Sequence, residues 1–150
     1  MSPGQLDVAL VRRHLAALDR AARQLRGHSG GTVEALKDLD EAWAIERGLQ
    51  ICVQNCLDIA THLAAAAGRD VPDYATAIDR LVELEALPGD FARRFRSVAG
   101  FRNVLVHGYL EVDPVLVHRV LNERLVDFRD FAGHVQAYLQ AAGAGDPSPR

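Results

Sequence analysis

Residues 45–63 read IERGLQICVQNCLDIATHL, and their apolar side chains recur at intervals of three and four positions. Such intervals place side chains on one face of an α-helix, because the helix turns once in about 3.6 residues. The pattern predicts an amphipathic helix that begins after Thr32 as its N-cap and continues to about Gly68. This length is well above the average for globular proteins, so the helix is a candidate for interruption. Its apolar positions are Ile45, Leu49, Cys52, Cys56, Ile59 and Leu63.

The same periodicity accounts for most of the remaining chain. Four further helices are predicted, over residues 8–25, 74–87, 90–107 and 114–140. Asp90 and Asp113 are expected to cap the last two at their N-termini, with Pro114 in the first helical position. Gly108 is expected to end the fourth helix in a left-handed conformation.

No segment alternates with the period of two that marks a half-buried strand. The predicted fold class is therefore all-α, an up-and-down bundle of about five helices. The length of 150 residues suits one domain, which we expect at residues 1–142, followed by a flexible tail at 143–150. The longest wholly apolar stretch, residues 63–67, is far too short to cross a membrane. With no recognisable signal peptide, we expect a soluble, cytoplasmic protein.

The net charge of −3 argues, as an average, against a nucleic-acid partner. The charges are unevenly distributed, however. Residues 31–90 contain 4 basic and 12 acidic residues, whereas residues 91–110 contain four arginines and no acid. Sixteen of the 17 basic residues are arginine, whose planar guanidinium suits bidentate contacts with phosphate. The local balance therefore favours a phosphate site that the average conceals.

Residues 100–109 read GFRNVLVHGY and concentrate an arginine, an amide, an imidazole and a phenol. A basic strip around one histidine meets the needs of phosphodiester chemistry, because the cations hold phosphate and the imidazole titrates near neutrality. The alternative is a solvated basic face with a histidine that caps the helix.

Helical geometry indicates which of these side chains share a face. Arg96, Gly100, Asn103 and His107 follow one another at intervals of four, three and four, so a continuous helix places them on one stripe. Arg102 is offset from His107 by about 140° on an ideal helix. The long arginine side chain or a second subunit could bridge that offset.

The order Arg-x4-His-x-Tyr, here Arg102, His107 and Tyr109, resembles the motif of HepT-like toxins in the HEPN (higher eukaryotes and prokaryotes nucleotide-binding) superfamily. The flanking sequences, VAGFRN at 98–103 and GYLEVD at 108–113, are also similar to that family. The second predicted helix looks like its counterpart in the segments ERGLQ and CLDIATH. The resemblance extends over all five predicted helices and implies the HEPN fold.

The resemblance implies a metal-independent endoribonuclease that needs no cofactor and acts as the toxin of a toxin–antitoxin pair. His107 would be the general acid/base that assists attack of a ribose 2′-OH on the adjacent phosphate. Arg102 would hold that phosphate and stabilise its developing charge. Asn103 would position the phosphate or orient the histidine. The family works as a homodimer in which two such motifs meet at a cleft, with mRNA or tRNA as substrate.

A protein partner is implied as well. The cognate antitoxin in this family is a minimal nucleotidyltransferase similar to enzymes that AMPylate the motif tyrosine, here Tyr109. An adenylyl group beside His107 would add bulk and negative charge where the substrate phosphate must lie. Two other functions remain open: a non-catalytic helical module that binds nucleotide, RNA or protein in the same groove, and a structural partner that activates or scaffolds the nucleotidyltransferase.

Other polar and aromatic side chains have simpler explanations. Asn55, Asp58 and His62 would share one helical face as a hydrogen-bonded cluster, since a metal site there lacks further ligands. Cys52 and Cys56 are expected to be buried free thiols. The core or an interface is expected for Trp43, Phe91, Phe95 and Phe101, and the surface for His14, His28, His118 and His134.

Overall fold

The computed structural model describes residues 5–108 and 110–143. Within them the chain forms seven α-helices, one short 3-10 helix and no β-strand, which confirms the all-α prediction. The elements are α1 (Val8–Arg26), the 3-10 helix (Val33–Lys37), α2 (Leu39–Ala66), α3 (Tyr74–Glu83), α4 (Gly89–Phe95), α5 (Val98–Val106), α6 (Pro114–Glu123) and α7 (Leu125–Ala141). The expected number of about five is too low, because two predicted helices are each divided in two. Residues 144–150 of the predicted tail lie outside the described residues.

Helix α2 is the centre of the bundle and packs against α1, α3, α5, α6 and α7. The apolar stripe predicted for residues 45–63 is its buried face. Gly48 lets α1 approach closely, because a Cβ atom there would lie 2.7 Å from Cδ2 of Leu25. Burial raises the pKa of the Cys52 thiol to about 12, and burial and the neighbouring Cys52 raise that of Cys56 well above its ordinary value, so both free cysteines are shielded thiols, as predicted.

The predicted start of this helix is wrong. Thr32 precedes the 3-10 helix and makes no side-chain capping bond. Asp38 caps α2 instead, since its carboxylate accepts a hydrogen bond from the Asp40 backbone N–H at 3.0 Å. Helix α3 also ends earlier than predicted, at Glu83, and Glu85 then adopts a positive φ of 60°.

The predicted fourth helix is divided into α4 and α5 by a break at Arg96 and Ser97. Pro88 rather than Asp90 is the N-cap of α4, and Asp90 lies in its first turn. At the break the carbonyl oxygen of Arg94 accepts hydrogen bonds from the Ser97 hydroxyl at 3.1 Å and from the Arg124 guanidinium at 3.2 Å. Side chains thus satisfy the helix end, which lets the chain turn there.

The predicted fifth helix begins as expected, because Asp113 accepts a hydrogen bond from the Val115 N–H at 2.9 Å and Pro114 follows the cap. It is divided at Arg124 into α6 and α7. Just beyond the division, Asp127 is buried and pairs with Arg124 at 2.9 Å and with Arg94 at 3.4 Å. This carboxylate ties the start of α7 to α4.

The aromatic residues divide between core and surface. Phe91 and Phe95 are buried and stacked, as predicted, and Phe101 packs against the core while partly buried. Trp43 is 63% exposed, so it does not belong to the core, and its place at an interface stays a prediction. No helix in the described part of the chain is long and apolar enough to cross a membrane.

Candidate active site

Helix α5 turns Asn103 toward solvent and leaves Arg102 partly buried, because its other face belongs to the core. Val98 is buried, and Phe101 and Leu105 pack against the core cluster. The spacing of three and four then directs Asn103 outward, and His107 follows as the C-cap of the helix. Both of these side chains are exposed. The sequence-predicted stripe therefore exists, but only within α5.

Arg96 does not belong to this site. It lies at the break before α5 and forms two hydrogen bonds with the carboxylate of Asp79 on α3, at 3.0 and 3.2 Å. Hydrogen bonding to Asp79 and its charge raise the pKa of the Arg96 guanidinium. The expectation that Arg96 shares a stripe with His107 is wrong, because the helix break redirects it.

Arg102 is held by groups without formal charge. Its Nε–H donates to Gln54 Oε1 on α2 at 3.2 Å, and Nη1 donates to Asn103 Oδ1 at 3.3 Å. The guanidinium carbon lies over the Tyr74 ring, 5.3 Å from its centroid. Within residues 5–108 and 110–143, Nη2 of Arg102 has no hydrogen-bond partner. One edge of this cation is therefore available to an anion.

His107 ends α5 at the same side of the bundle. Its backbone N–H donates to the Asn103 carbonyl oxygen at 3.0 Å, which completes the last helical turn. Among the described residues, none forms a hydrogen bond with the imidazole ring. Arg102 and Asn103 are thus in side-chain contact, whereas the exposed His107 ring contacts neither of them by a hydrogen bond.

The chain turns at Gly108, directly after the histidine. Gly108 is not left-handed, as had been expected, since the described glycines with positive φ are Gly30, Gly68 and Gly143. The glycine is required for another reason: a Cβ atom would overlap the Val112 side chain and lie 3.0 Å from the Val104 carbonyl oxygen. The predicted modification site, Tyr109, lies outside the described residues.

Acids from other helices pair with two of the four arginines in residues 91–110. Arg94 pairs with Asp127 and Arg96 with Asp79. Of the four arginines, Arg93 and Arg102 form no ion pair with any described residue. The positive potential of this segment therefore comes from fewer arginines than its sequence indicates.

The predicted cluster of Asn55, Asp58 and His62 does not form as a unit. Asn55 accepts a hydrogen bond from His14 Nδ1 at 2.7 Å, while His62 Nε2 accepts one from the Asp7 backbone N–H at 3.0 Å. Asp58 accepts from Gln54 Nε2 at 2.8 Å. The described residues contain no group of three or more His, Cys, Asp or Glu side chains placed to hold a metal ion.

Sequence reasoning missed Gln54 and Tyr74, which both contact Arg102. Gln54 also donates to the Tyr74 hydroxyl at 3.3 Å, so the two side chains support each other. A signal for Gln54 was present, since it precedes Asp58 by one helical turn on the quoted segment of α2. Tyr74 gave none, because it lies 28 residues from Arg102 at the start of another helix.

Comparison with known protein families identifies the family of this chain. The family model described as Ribonuclease HepT-like matches residues 18–135. The chain belongs to this family. The resemblance argued from Arg102, His107 and their flanking residues is thereby confirmed, together with the class of enzyme, a ribonuclease.

Individual HepT-like relatives are distant in sequence but align over most of the chain. The mRNA nuclease HepT of Shewanella oneidensis is 22% identical over 129 residues, which cover 85% of this chain and 97% of the relative. The tRNA nuclease HepT of Aphanizomenon flos-aquae is 26% identical over 106 residues, or 69% of this chain and 71% of the relative.

Solved structures share the fold. The tri-AMPylated HEPN toxin of Shewanella oneidensis in complex with its MNT antitoxin has a TM-score of 0.75 at 22% identity, covering 85% of this chain and 96% of the toxin. The cytosolic protein YutE of Bacillus subtilis, whose function is unknown, has a TM-score of 0.82 at 17% identity and covers 94% and 96%. The HEPN helical architecture predicted from the motif is confirmed.

Proposed function

We propose that this chain is a metal-independent endoribonuclease that cleaves RNA with Arg102 and His107, and that it is the toxin of a toxin–antitoxin pair. One observation carries the proposal: Arg102 is fixed by Gln54, Tyr74 and Asn103, with no acidic partner among residues 5–108 and 110–143. An arginine whose charge is not neutralised is suited to bind a phosphodiester. The exposed His107 ends the same short helix.

These two groups supply what transesterification of RNA needs. The neutral imidazole of a His107 side chain takes the proton of a ribose 2′-OH as the 2′ oxygen attacks the adjacent phosphorus. The bond from phosphorus to the 5′ oxygen breaks, and that oxygen takes a proton from an imidazolium. The products are a 2′,3′-cyclic phosphate and a 5′-hydroxyl end. Arg102 stabilises the charge that grows on the non-bridging oxygens, with Asn103 as a supporting donor.

A second copy of the chain completes the proposed cleft. Each chain contributes one Arg102 and one His107, and a homodimer brings two sets to one groove, with one imidazole as base and the other as acid. Gly100 on the outer face of α5 is exposed and has no neighbour within 4 Å of a Cβ position, so another backbone can approach it.

The proposed regulator is a minimal nucleotidyltransferase antitoxin that AMPylates Tyr109. The support comes from relatives, since a HEPN toxin of this fold is tri-AMPylated and bound to an MNT antitoxin. Attached AMP carries phosphate that competes for Arg102 and blocks the approach of RNA. Both proteins of such a pair would work in the cytoplasm.

The decisive experiment is cleavage of total tRNA and of an mRNA by the purified chain in EDTA. We expect 2′,3′-cyclic phosphate ends, with loss of about 10²- to 10⁴-fold in His107→Ala and at least about a hundredfold in Arg102→Ala. Arg93→Ala is the matched control, because it removes an unpaired arginine of the same segment. It should change the rate less than about threefold, because a single exposed charge contributes little to binding energy.

Three results would contradict the proposal. Equal activity of wild type and His107→Ala excludes the assigned acid/base. Strict dependence on Mg²⁺ excludes metal-free chemistry. Dimerisation with RNA binding but no cleavage of any RNA favours the non-catalytic binding module.

Modification is tested separately by intact mass after co-expression with the nucleotidyltransferase antitoxin. One or more added AMP units are expected on the wild type and none on Tyr109→Phe. AMPylated protein should no longer cleave RNA. Persistence of AMP in Tyr109→Phe would remove Tyr109 as the acceptor while leaving the nuclease assignment intact.

A further inference from the structure

Gln54 is the junction between the site arginine and the interior of the bundle. Its Oε1 accepts from Arg102 Nε at 3.2 Å, while its Nε2 donates to Asp58 at 2.8 Å and to the Tyr74 hydroxyl at 3.3 Å. All four side chains are partly buried, which limits competition from water. The contacts join α2, α3 and α5.

The direction of the Gln54 amide decides whether Arg102 can be held. An amide has an acceptor end and a donor end, and only the acceptor end can receive the Nε–H of an arginine. A hydroxyl such as that of Tyr74 either donates or accepts, so it does not select between the two directions. A carboxylate only accepts, so Asp58 forces the NH₂ end of Gln54 toward itself. The oxygen then faces Arg102.

We propose that Gln54, oriented by Asp58, is a positioning residue that fixes the Arg102 guanidinium with its Nη2 edge toward the substrate phosphate. Tyr74 supports the opposite side, because its ring lies beneath the guanidinium. The inference rests on the proposed function, since it takes the ligand of the Nη2 edge to be a phosphate of RNA. It goes beyond that function by adding two residues of α2 that contact no reacting atom.

Correct orientation of a charged group accelerates the chemical step more than it strengthens binding, because misplacement by about 1 Å costs up to about a hundredfold in rate. A freely rotating Arg102 still attracts RNA by charge alone. We therefore expect variants of Gln54 and Asp58 to lower kcat by about ten- to a hundredfold while KM changes less than about threefold. A loss of folded protein would also lower the apparent kcat at unchanged KM, so each kcat is normalised to the folded fraction measured by urea unfolding.

The test is a double-mutant cycle on RNA cleavage with Gln54→Ala, Asp58→Asn and the double variant. Asp58→Asn is isosteric and gives position 58 a donor as well as an acceptor, so the Gln54 amide is free to turn. If Asp58 acts through Gln54, adding Asp58→Asn to Gln54→Ala has no further effect on kcat. Multiplicative effects of the two changes would overturn the role given to Asp58.

Gln50→Ala is the matched control, because it removes the same side chain one turn earlier on α2. Gln50 has no hydrogen-bond partner within the described part of the chain. Its kcat should equal that of wild type. A fall in kcat equal to that of Gln54→Ala would assign the effect to the helix face rather than to the contact with Arg102.

A second measurement does not depend on cleavage. The Nε–H resonance of Arg102, identified by its loss in Arg102→Lys, reports the contact with Gln54 in a proton–nitrogen correlation spectrum. Its exchange with solvent should be at least about tenfold faster in Gln54→Ala and in Asp58→Asn than in wild type. Unchanged exchange overturns the positioning role whatever the activity. If exchange is faster in the two variants but the wild-type protein cuts no RNA, the positioning role is retained and the ribonuclease mechanism is rejected.

Discussion

Arg94 and Arg102 lie on either side of the α4–α5 break and rest on aromatic rings in the same way. Each guanidinium carbon is 5.3 Å from a ring centroid, that of Phe91 for Arg94 and that of Tyr74 for Arg102. The remaining partners differ. Arg94 pairs with the carboxylate of Asp127, whose side chain is only 8% exposed, whereas Arg102 hydrogen-bonds to two amide oxygens.

In the proposed mechanism, the difference separates a structural arginine, Arg94, from a functional one, Arg102. The ion pair of Arg94 with Asp127 joins α4 to α7, and the carboxylate neutralises the charge of the guanidinium. Amide oxygens hold Arg102 in place through hydrogen bonds and leave its charge for a ligand. The kind of partner, rather than the density of arginines in residues 91–110, therefore indicates which cation serves the site.

Truncation of the two arginines should give opposite results, and this is the largest expected contrast. Arg102→Ala loses at least about a hundredfold in RNA cleavage, with a loss of at most about 1 kcal/mol in its free energy of unfolding, because its hydrogen-bond partners are neutral. Arg94→Ala should keep cleavage within about threefold and lose about 1–2 kcal/mol of stability, because it leaves Asp127 with one partner. Single-turnover cleavage and urea unfolding measure the two effects. Equal losses of activity would end the distinction.

Asp127→Asn tests the structural half of the comparison alone. The amide keeps the shape of the side chain but cannot form the ion pairs with Arg94 and Arg124. We expect a loss of about 2 kcal/mol in the free energy of unfolding, below the usual cost for a fully buried pair because both arginines are partly exposed. Urea denaturation at neutral pH provides the value. A loss equal to that of a partly exposed control that forms no ion pair with any described residue, Asp130→Asn, would show that the buried carboxylate is dispensable.

Gln54→Glu gives Arg102 the acidic partner that Arg94 has. We expect cleavage to fall about tenfold, because substrate phosphate must now displace a carboxylate. The double variant Gln54→Glu/Asp58→Asn restores both the net charge and an amide donor beside position 54. Cleavage should stay low in it, since the acid still faces Arg102. Recovery to the wild-type rate would mean that total charge, not the partner of Arg102, controls activity.

Tyr74→Phe should have the smallest effect. It keeps the ring beneath Arg102 and removes only the hydroxyl, which contacts Gln54 at 3.3 Å. A change of less than about threefold in kcat is expected for one long, neutral hydrogen bond. Tyr74→Leu, which removes the ring, should cost more. If Phe and Leu act alike, the ring does not support Arg102.

The helices could be predicted from sequence because each buries an apolar stripe of regular period. Asp113 and Pro114 even located the start of α6 correctly. The breaks at Arg96 and Arg124 could not be foreseen, since neither position has a Gly or Pro neighbour in the sequence. They depend on tertiary contacts, such as that between the Arg124 guanidinium and the Arg94 carbonyl oxygen.

From the sequence, only the part of the candidate site that lies on one helix could be predicted. Asn103 and His107 are related by the local period of α5, so their shared outward direction followed from spacing. The partners of Arg102 lie 48 and 28 residues away on helices α2 and α3. No local pattern links Gln54 or Tyr74 to the motif, because their meeting depends on how three helices pack.

The amide at position 54 also has a genetic consequence. Codons for glutamine and glutamate differ only in their first base, so one nucleotide substitution converts the neutral partner of Arg102 into an acid. The resulting protein would keep its core and its surface, and it would still be available to assemble with copies of itself. On the proposed function, such a substitution lowers the activity of a harmful nuclease at a codon far upstream of the motif and leaves the reading frame intact.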